Sequence, residues 1–210
     1  IANPTKIIGI ARNRKNLESE NLDFVLPESN ARKDSDPIFM FIKANSAQAG
    51  VSDGVVLRFT DRRNDPEAEL SVVIGKQGTD IAYEDALDYV FGYTIGLDMT
   101  LRGKESASSR KSIDTYALTG PCVATADEIP DPDGLGFSLS INGTVIQESS
   151  TSELAFDIRS LIAHASSFYT LHPGDIIMAG TPVGFEPVHA GDTMDVTFDG
   201  IGSMSVAITA

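Results

Sequence analysis

A mostly-β domain with a few packed helices, its sheet rolled or barrel-like, follows from three observations on this 210-residue chain. Short apolar and β-branched runs outnumber helical stretches and crowd the C-terminal half. Asn142-Gly143 separates two such runs, and Asn-Gly supplies the two positive-φ residues of a type I′ hairpin turn. Pro173-Gly174-Asp175 and Ala190-Gly191-Asp192 each mark a turn that feeds an apolar strand. Many short strands with regular turns suit a sheet that curls back on itself.

Each element has its own reason. Residues 6–11 are a short β-branched strand. Residues 13–36 are polar, with mixed charges, and read as a mobile segment with one helical turn. A loop of about 20 residues inside a compact domain is usually functional or disordered. Residues 38–43 and 55–59 read as strands. So do residues 67–74, with Pro66 just before them, where a strand tolerates proline. Residues 83–89 form a short helix, with Thr79 and Asp80 ahead of it as caps. Residues 94–98 are an apolar strand that runs into polar residues. Residues 137–141 and 144–148 are the two arms of the hairpin. The best helix covers residues 153–168, where Leu154, Ile158, Leu161, Ile162, Ala165 and Phe168 share one face. Ser150 and Glu153 have capping-box spacing at its start. Residues 176–179 and 194–198 close the chain as strands.

Composition excludes several classes. Sixteen basic residues against thirty acidic ones give a net charge of −14, which repels nucleic acid. Cys122 is the only cysteine, so an internal disulfide and a cysteine zinc site are both ruled out. No stretch approaches the ~18 apolar residues of a membrane helix. The N-terminus shows no charged-then-apolar leader, which sets a cytoplasmic expectation.

The acids have structure in their spacing. In a strand, residues i and i+2 share a face, so Glu67 and Glu69 point the same way. Two adjacent like charges need a cation or bases, or they form a solvated strand face. Asp98 ends an apolar run, a place for a ligand, a catalytic group or a helix cap. Arg102, Lys104, Arg110 and Lys111 follow within a short span. They are surface ion pairs or they hold an anionic substrate. Three carboxylates without histidine or cysteine select a hard cation, Mg²⁺ or Mn²⁺ before Ca²⁺. A 2-oxo acid or 1,3-dicarbonyl chelates such an ion, which then acts as a Lewis acid toward an enolate. His164, His172 and His189 read as structural or exposed.

Five motifs in order carry a resemblance. They are Glu67-Ala68-Glu69-Leu70, Gly96-Leu97-Asp98-Met99-Thr100 with Arg102, and Arg110-Lys111-Ser112-Ile113-Asp114-Thr115 with Gly120-Pro121. Asn142-Gly143 with Gln147, and Pro173-Gly174-Asp175 with Gly180-Thr181-Pro182 and Gly184, complete the set. Together they resemble the fumarylacetoacetate hydrolase family from Lys6 onward. The resemblance implies the mixed β-roll of that family's C-terminal domain, in a homodimer. It implies a single catalytic domain over residues 1–210. An N-terminal strand and a flexible lid-like segment occupy residues 1–48, and a metal-binding β-roll core occupies residues 49–210.

The resemblance also implies roles. Glu67, Glu69 and Asp98 would hold Mg²⁺ or Mn²⁺. Lys111 would stabilise developing negative charge on the substrate. Arg102 would meet a substrate carboxylate and Thr181 the substrate's far end, with Gln147 and Lys43 as further substrate contacts. Family members cleave C–C bonds in acylpyruvates and β-diketo acids, and others decarboxylate or isomerise 2-oxo diacids. The family's hydrolases carry an Asn-Tyr-x-x-His-x-x-Glu-like segment near the N-terminus. Here Asn13 to Glu20 contains neither histidine nor tyrosine. Glu18 or Glu20 is the base that remains, and it needs a raised pKa to serve. The expected activity is therefore metal-dependent C–C hydrolysis of a small anionic 2-oxo or diketo acid. The alternatives are decarboxylation or keto–enol isomerisation of a 2-oxo diacid, and a catalytically weak binding protein on the same scaffold.

Overall fold

Two β-sheets dominate the computed structural model, which describes residues 3–15, 38–181 and 186–210. The larger sheet has seven strands. Its order is β2 (Phe39–Lys43), β1 (Ile7–Ala11), β12 (Ile176–Met178), β6 (Ala68–Ile74), β7 (Val90–Asp98), β9 (Ala117–Thr125) and β3 (Gln48–Ala49). A five-stranded sheet runs β11 (Thr144–Ser150), β10 (Gly136–Ile141), β13 (Thr193–Phe198), β14 (Gly202–Thr209) and β4 (Val55–Val56). β5 (Asn64–Asp65) and β8 (Thr100–Leu101) form a small antiparallel pair. The α-helices among the described residues are α1 (Ala107–Arg110) and α2 (Ile158–Phe168). The architecture is the mostly-β one expected.

Burial explains the strand sequences. All seven residues of β6 are buried, Glu69 and Ser71 included, so both faces of the strand are covered and only Val72-Val73-Ile74 reads as an unbroken apolar run. β14 alternates strictly between exposed and buried over its last six residues, as a strand with one wet face does. The hairpin of β10 and β11 turns at Asn142 and Gly143, with φ of 51° and 80°, the two positive values the Asn-Gly pair predicts. Phe137 on β10 stacks on Phe198 on β13, ring centroids 4.7 Å apart, and seals the smaller sheet's inner face.

Both Gly-Asp turns close by the same device. The Asp175 carboxylate accepts from the backbone N–H of His172 at 2.8 Å, and that of Asp192 from His189 at 2.7 Å. Gly174 and Gly191 supply the positive φ between them, 88° and 96°. Asp175 does more, since it also accepts from Thr5 Oγ1 at 2.6 Å and from the Lys6 ammonium at 2.5 Å. The acid thereby pins the start of β1 beside its parallel partner β12.

Several expectations need correction. The long helix starts at Ile158, not at residue 153. Asp157 caps it by accepting from the Ser160 N–H, while Ser150 caps a separate 3₁₀ turn at Thr151–Glu153. Residues 83–89 are a 3₁₀ helix whose N-cap is Ala82, with no side-chain cap from Thr79 or Asp80. The strand expected over residues 55–59 keeps only Val55–Val56 in the ladder. The strand expected from residue 94 begins at Val90. β9 and β14 went unread. β9 contains Gly120-Pro121, a pair that reads as a turn, and its register with β7 shifts there. Residues 16–37 and 182–185 lie outside the described residues, and with them the expected lid-like segment, Glu18, Glu20, Pro182 and Gly184.

Candidate functional site

The acid pattern becomes a cluster through strand register. Ala68 pairs with Leu97 and Glu69 with Gly96 across the antiparallel β6–β7 ladder. One step further along, the Asp98 N–H donates to the Glu67 carbonyl at 2.9 Å. Opposite residues in an antiparallel pair share a face, and so do i and i+2 on one strand. Glu67, Glu69 and Asp98 therefore converge. Each offers a carboxylate oxygen, and these oxygens lie within 4.8 Å of one another. Their exposures of 8%, 1% and 1% set aside the solvated-face reading. Asp98 caps no helix, because β7 ends on it and β8 follows at once.

Three cations meet the acids. Lys111, at the C-cap of α1, reaches Glu67 Oε2 at 2.8 Å and Asp98 Oδ2 at 2.7 Å. Its ammonium also lies 5.3 Å from the centroid of the Phe41 ring. Lys43 ends β2, is wholly buried, and pairs with Asp98 Oδ1. Arg102 donates to Asp65 Oδ2 at 2.6 Å and to Glu67 Oε1 at 3.2 Å.

These neighbours divide the acids electrostatically. Burial raises the Glu67 pKa, but Lys111 and Arg102 outweigh it and bring the group down to about 2. Burial and the charge of Asp98 instead push Glu69 well above the ordinary carboxylate range. Burial opposes the charge on Lys111, yet Asp98, Glu67 and Glu69 hold its pKa above the ordinary value. Lys43 goes the other way, because burial outweighs its pairing with Asp98. One polar atom is left over. Glu69 Oε2 accepts from the Gly180 N–H at 2.8 Å, while Oε1 is buried with no hydrogen-bond partner among the described residues. An orphaned oxygen on an acid grouped with two other carboxylates fits a hard divalent cation.

The remaining expected residues fall nearby or elsewhere. Gln147 accepts from the Ala68 N–H, between the two glutamates, at 3.1 Å, and its amide donates to Thr181 Oγ1 at 3.2 Å. Thr181 follows Gly180 and so adjoins the Glu69 carboxylate through the backbone. His189 is exposed beside Asp192, His172 lies in the Asp175 turn, and His164 packs edge-on against Phe168 at 5.1 Å. Sequence reasoning missed two supports. Asp65 is fully buried and binds both Arg63 and Arg102, and its place in the Asp65-Pro66-Glu67 run was the available signal. Asn13 donates to the carbonyls of Phe156 and Ala179 and accepts from the Phe156 N–H, contacts more than 140 residues away in sequence that leave no local trace.

The fold and the cluster define a β-roll protein with a buried, cation-compensated carboxylate triad. The chain belongs to the fumarylacetoacetate (FAA) hydrolase C-terminal family, whose sequence profile matches residues 6–209. It is 51% identical over 169 residues to maleylpyruvate hydrolase of Aquipseudomonas alcaligenes, covering 80% of this chain and 59% of that protein. It is 38% identical to the mitochondrial oxaloacetate tautomerase of Xenopus laevis, covering 98% of this chain and 66% of that one. The crystal structure of maleylpyruvate hydrolase from Sphingobium sp. SYK-6, in complex with manganese (II) ion and pyruvate, shares the fold. Its TM-score is 0.84 at 37% identity, with 98% of this chain and 70% of that one covered. The chain thus spans well under two thirds of the length of the Aquipseudomonas relative.

Proposed function

We propose that this protein is a divalent-metal-dependent hydrolase that cleaves the C–C bond of an acylpyruvate or β-diketo acid. The observation that carries the reading is the convergence of Glu67, Glu69 and Asp98, one oxygen of Glu69 being left without a partner and the Lys111 ammonium bridging the other two acids. Glu67, Glu69 and Asp98 would hold Mg²⁺ or Mn²⁺. When bound, the ion polarises adjacent substrate oxygens and favours enolate charge there.

The reaction adds water to the acyl carbonyl and breaks the bond between that carbon and the pyruvate methylene. The electron pair passes to the pyruvyl part as an enolate, which takes a proton to give pyruvate, while the acyl part leaves as a carboxylate. Lys111 is buried and held protonated, so it places positive charge where the enolate charge develops. Lys43 neutralises and orients Asp98. Arg102 ties Glu67 to Asp65 and keeps the first glutamate aimed at the triad. Gln147 and Thr181 form a polar pair beside Glu69 that suits a substrate oxygen. Glu18 or Glu20 takes a proton from the attacking water, a role that rests on the sequence alone. The substrate is a small 2-oxo or diketo anion, and the active assembly is a homodimer. No helix among the described residues is long and apolar enough to cross a membrane.

A second reading is decarboxylation or keto–enol isomerisation of a 2-oxo diacid. Two observations favour it: Asn13 to Glu20 has no histidine, and the chain is similar to an oxaloacetate tautomerase. Enolate chemistry of that kind uses the triad and Lys111 without an activated water. The binding-protein reading loses ground, because the glutamates are buried inside the cluster rather than turned to solvent. Turnover of an acylpyruvate and of oxaloacetate decides, each with Mg²⁺, with Mn²⁺ and with chelator, products resolved by mass. Pyruvate plus a second carboxylic acid, lost on chelation, is the expected result. Turnover of oxaloacetate alone would transfer the assignment to the second reading.

A further inference from the structure

The three carboxylates of the triad are not held alike. Lys111 and Arg102 hold Glu67, and Lys43 and Lys111 hold Asp98. Among the described residues Glu69 has no cation at salt-bridge distance, and its hydrogen bond is the one that Oε2 accepts from the Gly180 N–H at 2.8 Å. The aim of Glu69 therefore depends on which way one peptide plane faces.

That peptide joins Ala179 to Gly180. β12 ends at Met178, and the Ala179 N–H still bonds the Leu70 carbonyl at 2.9 Å, but the next peptide lies beyond the ladder. Gly180 has a φ of +95°, so a glycine's freedom on that side does little to stop the plane from turning over. The peptide is planar and trans, so its carbonyl and its N–H point in opposite directions, and holding one aims the other. Asn13 holds the carbonyl, its Nδ2 donating to the Ala179 oxygen at 2.8 Å. Amide, peptide and carboxylate thus stand in one hydrogen-bonded row. A carbonyl that accepts such a bond makes the N–H of its peptide a better donor.

Asn13 is itself locked. It is buried, its Nδ2 also donates to the Phe156 carbonyl at 3.1 Å, and its Oδ1 accepts from the Phe156 N–H at 2.7 Å. Both donor hydrogens and the acceptor are engaged, which only one orientation of the amide allows. We propose that Asn13 is a positioning residue for Glu69: through the Ala179–Gly180 peptide it sets the carboxylate so that Oε2 is occupied and Oε1 is presented to the metal. The inference rests on the reading of Glu67, Glu69 and Asp98 as metal ligands. The competing role is that of a structural clamp, which would tie the chain after β1 to the residues before α2 through Phe156 alone.

Two readouts separate these roles. In calorimetric titration with Mn²⁺, Asn13→Ala should bind about 10–100-fold more weakly than wild type, the usual cost of losing a group that orients a metal ligand. Asp175→Asn, a change at the other end of β12, should melt lower yet keep its Mn²⁺ affinity within about twofold. In the amide NMR spectrum of the metal-free protein, the Gly180 proton should lie downfield in wild type. In Asn13→Ala it should move upfield and exchange faster with solvent. Asn13→Ser serves if the alanine variant does not melt cooperatively. An affinity loss no larger than that of Asp175→Asn would overturn the proposal, and so would a Gly180 resonance and exchange rate that the Asn13 variants leave unchanged. Wild-type protein that binds no Mn²⁺ would sink the metal reading and the role given to Oε1. The Gly180 resonance, read without metal, would then show separately whether Asn13 holds Glu69.

Discussion

Glu69 answers two demands with one carboxylate. Its Oε2 is fixed by the Gly180 N–H, and its Oε1 is left bare in a buried cluster of acids. Asp98 is held the opposite way, with a lysine on each oxygen. Glu69→Ala and Asp98→Ala should therefore abolish divalent-metal binding while leaving a cooperative thermal transition, as metal analysis after gel filtration and a melting curve would show. Normal metal content with full activity in either variant would remove the proposed centre. Lys111→Met should lower kcat by about 10²–10³, the usual cost of losing one donor at a developing oxyanion, with metal affinity much less affected. Equal losses in turnover and metal affinity would make Lys111 a structural counter-ion. Gly180 is constrained twice over: its φ is +95°, and a Cβ there would lie 2.9 Å from Asn13 Cβ and 3.1 Å from the Ile10 carbonyl. Gly180→Ala should cost about 1–3 kcal/mol in denaturant unfolding and should weaken metal binding as well, since the same N–H aims Glu69. A variant with lowered stability and unchanged metal affinity would separate the turn from the site.

Among the elements, those with a local cause were readable and those with a remote cause were not. The Asn142-Gly143 hairpin carries its own backbone instruction, and the Glu67–Glu69 spacing carries its own facing. The convergence of Asp98 on that pair needed the β6–β7 register, which the apolar runs imply only once the two strands are known neighbours. The start of α2 was misjudged because Ser150 and Glu153 offer a capping box in sequence, while Asp157 makes the cap in space. β9 was missed because Gly120-Pro121 imitates a turn. The Asp175 turn shows how a readable turn motif conceals tertiary work, since its carboxylate also anchors Thr5 and Lys6 about 170 residues away. Burial opposes the charge of Asp175, but Lys6, Thr5 and the His172 and Lys6 N–H groups hold its pKa below the ordinary 3.8. A depressed folded pKa contributes stability above the unfolded value, and that contribution disappears as pH falls through the folded value. Asp175→Asn should thus cost about 1–3 kcal/mol near neutral pH, with the gap to wild type closing below pH ~3.8. Urea unfolding of both proteins across that range is the check, and a gap independent of pH would assign the effect to lost hydrogen-bond geometry rather than charge.

Across the molecule, a net charge of −14 draws cations to the surface as well as to the triad, and the two must be told apart. A ligand that binds only the folded chain stabilises it by mass action, about 2.7 kcal/mol at a hundred times its Kd. For a chain of this length each kcal/mol moves the melting temperature by about 2–4 °C, so saturating Mn²⁺ should raise it by about 5–11 °C over the chelator-treated protein. Diffuse association with exposed carboxylates is screened by salt, whereas a buried triad is screened far less. The shift should accordingly persist in about 0.5 M KCl, where the Debye length is only a few ångströms, and vanish in Glu69→Ala. Scanning calorimetry of both proteins, with and without Mn²⁺ at low and high salt, checks this. A shift that salt erases, or that Glu69→Ala retains in full, would place the stabilising cation on the acidic surface. The surviving explanation for the buried triad would then be its ion pairs with Lys43, Lys111 and Arg102 alone.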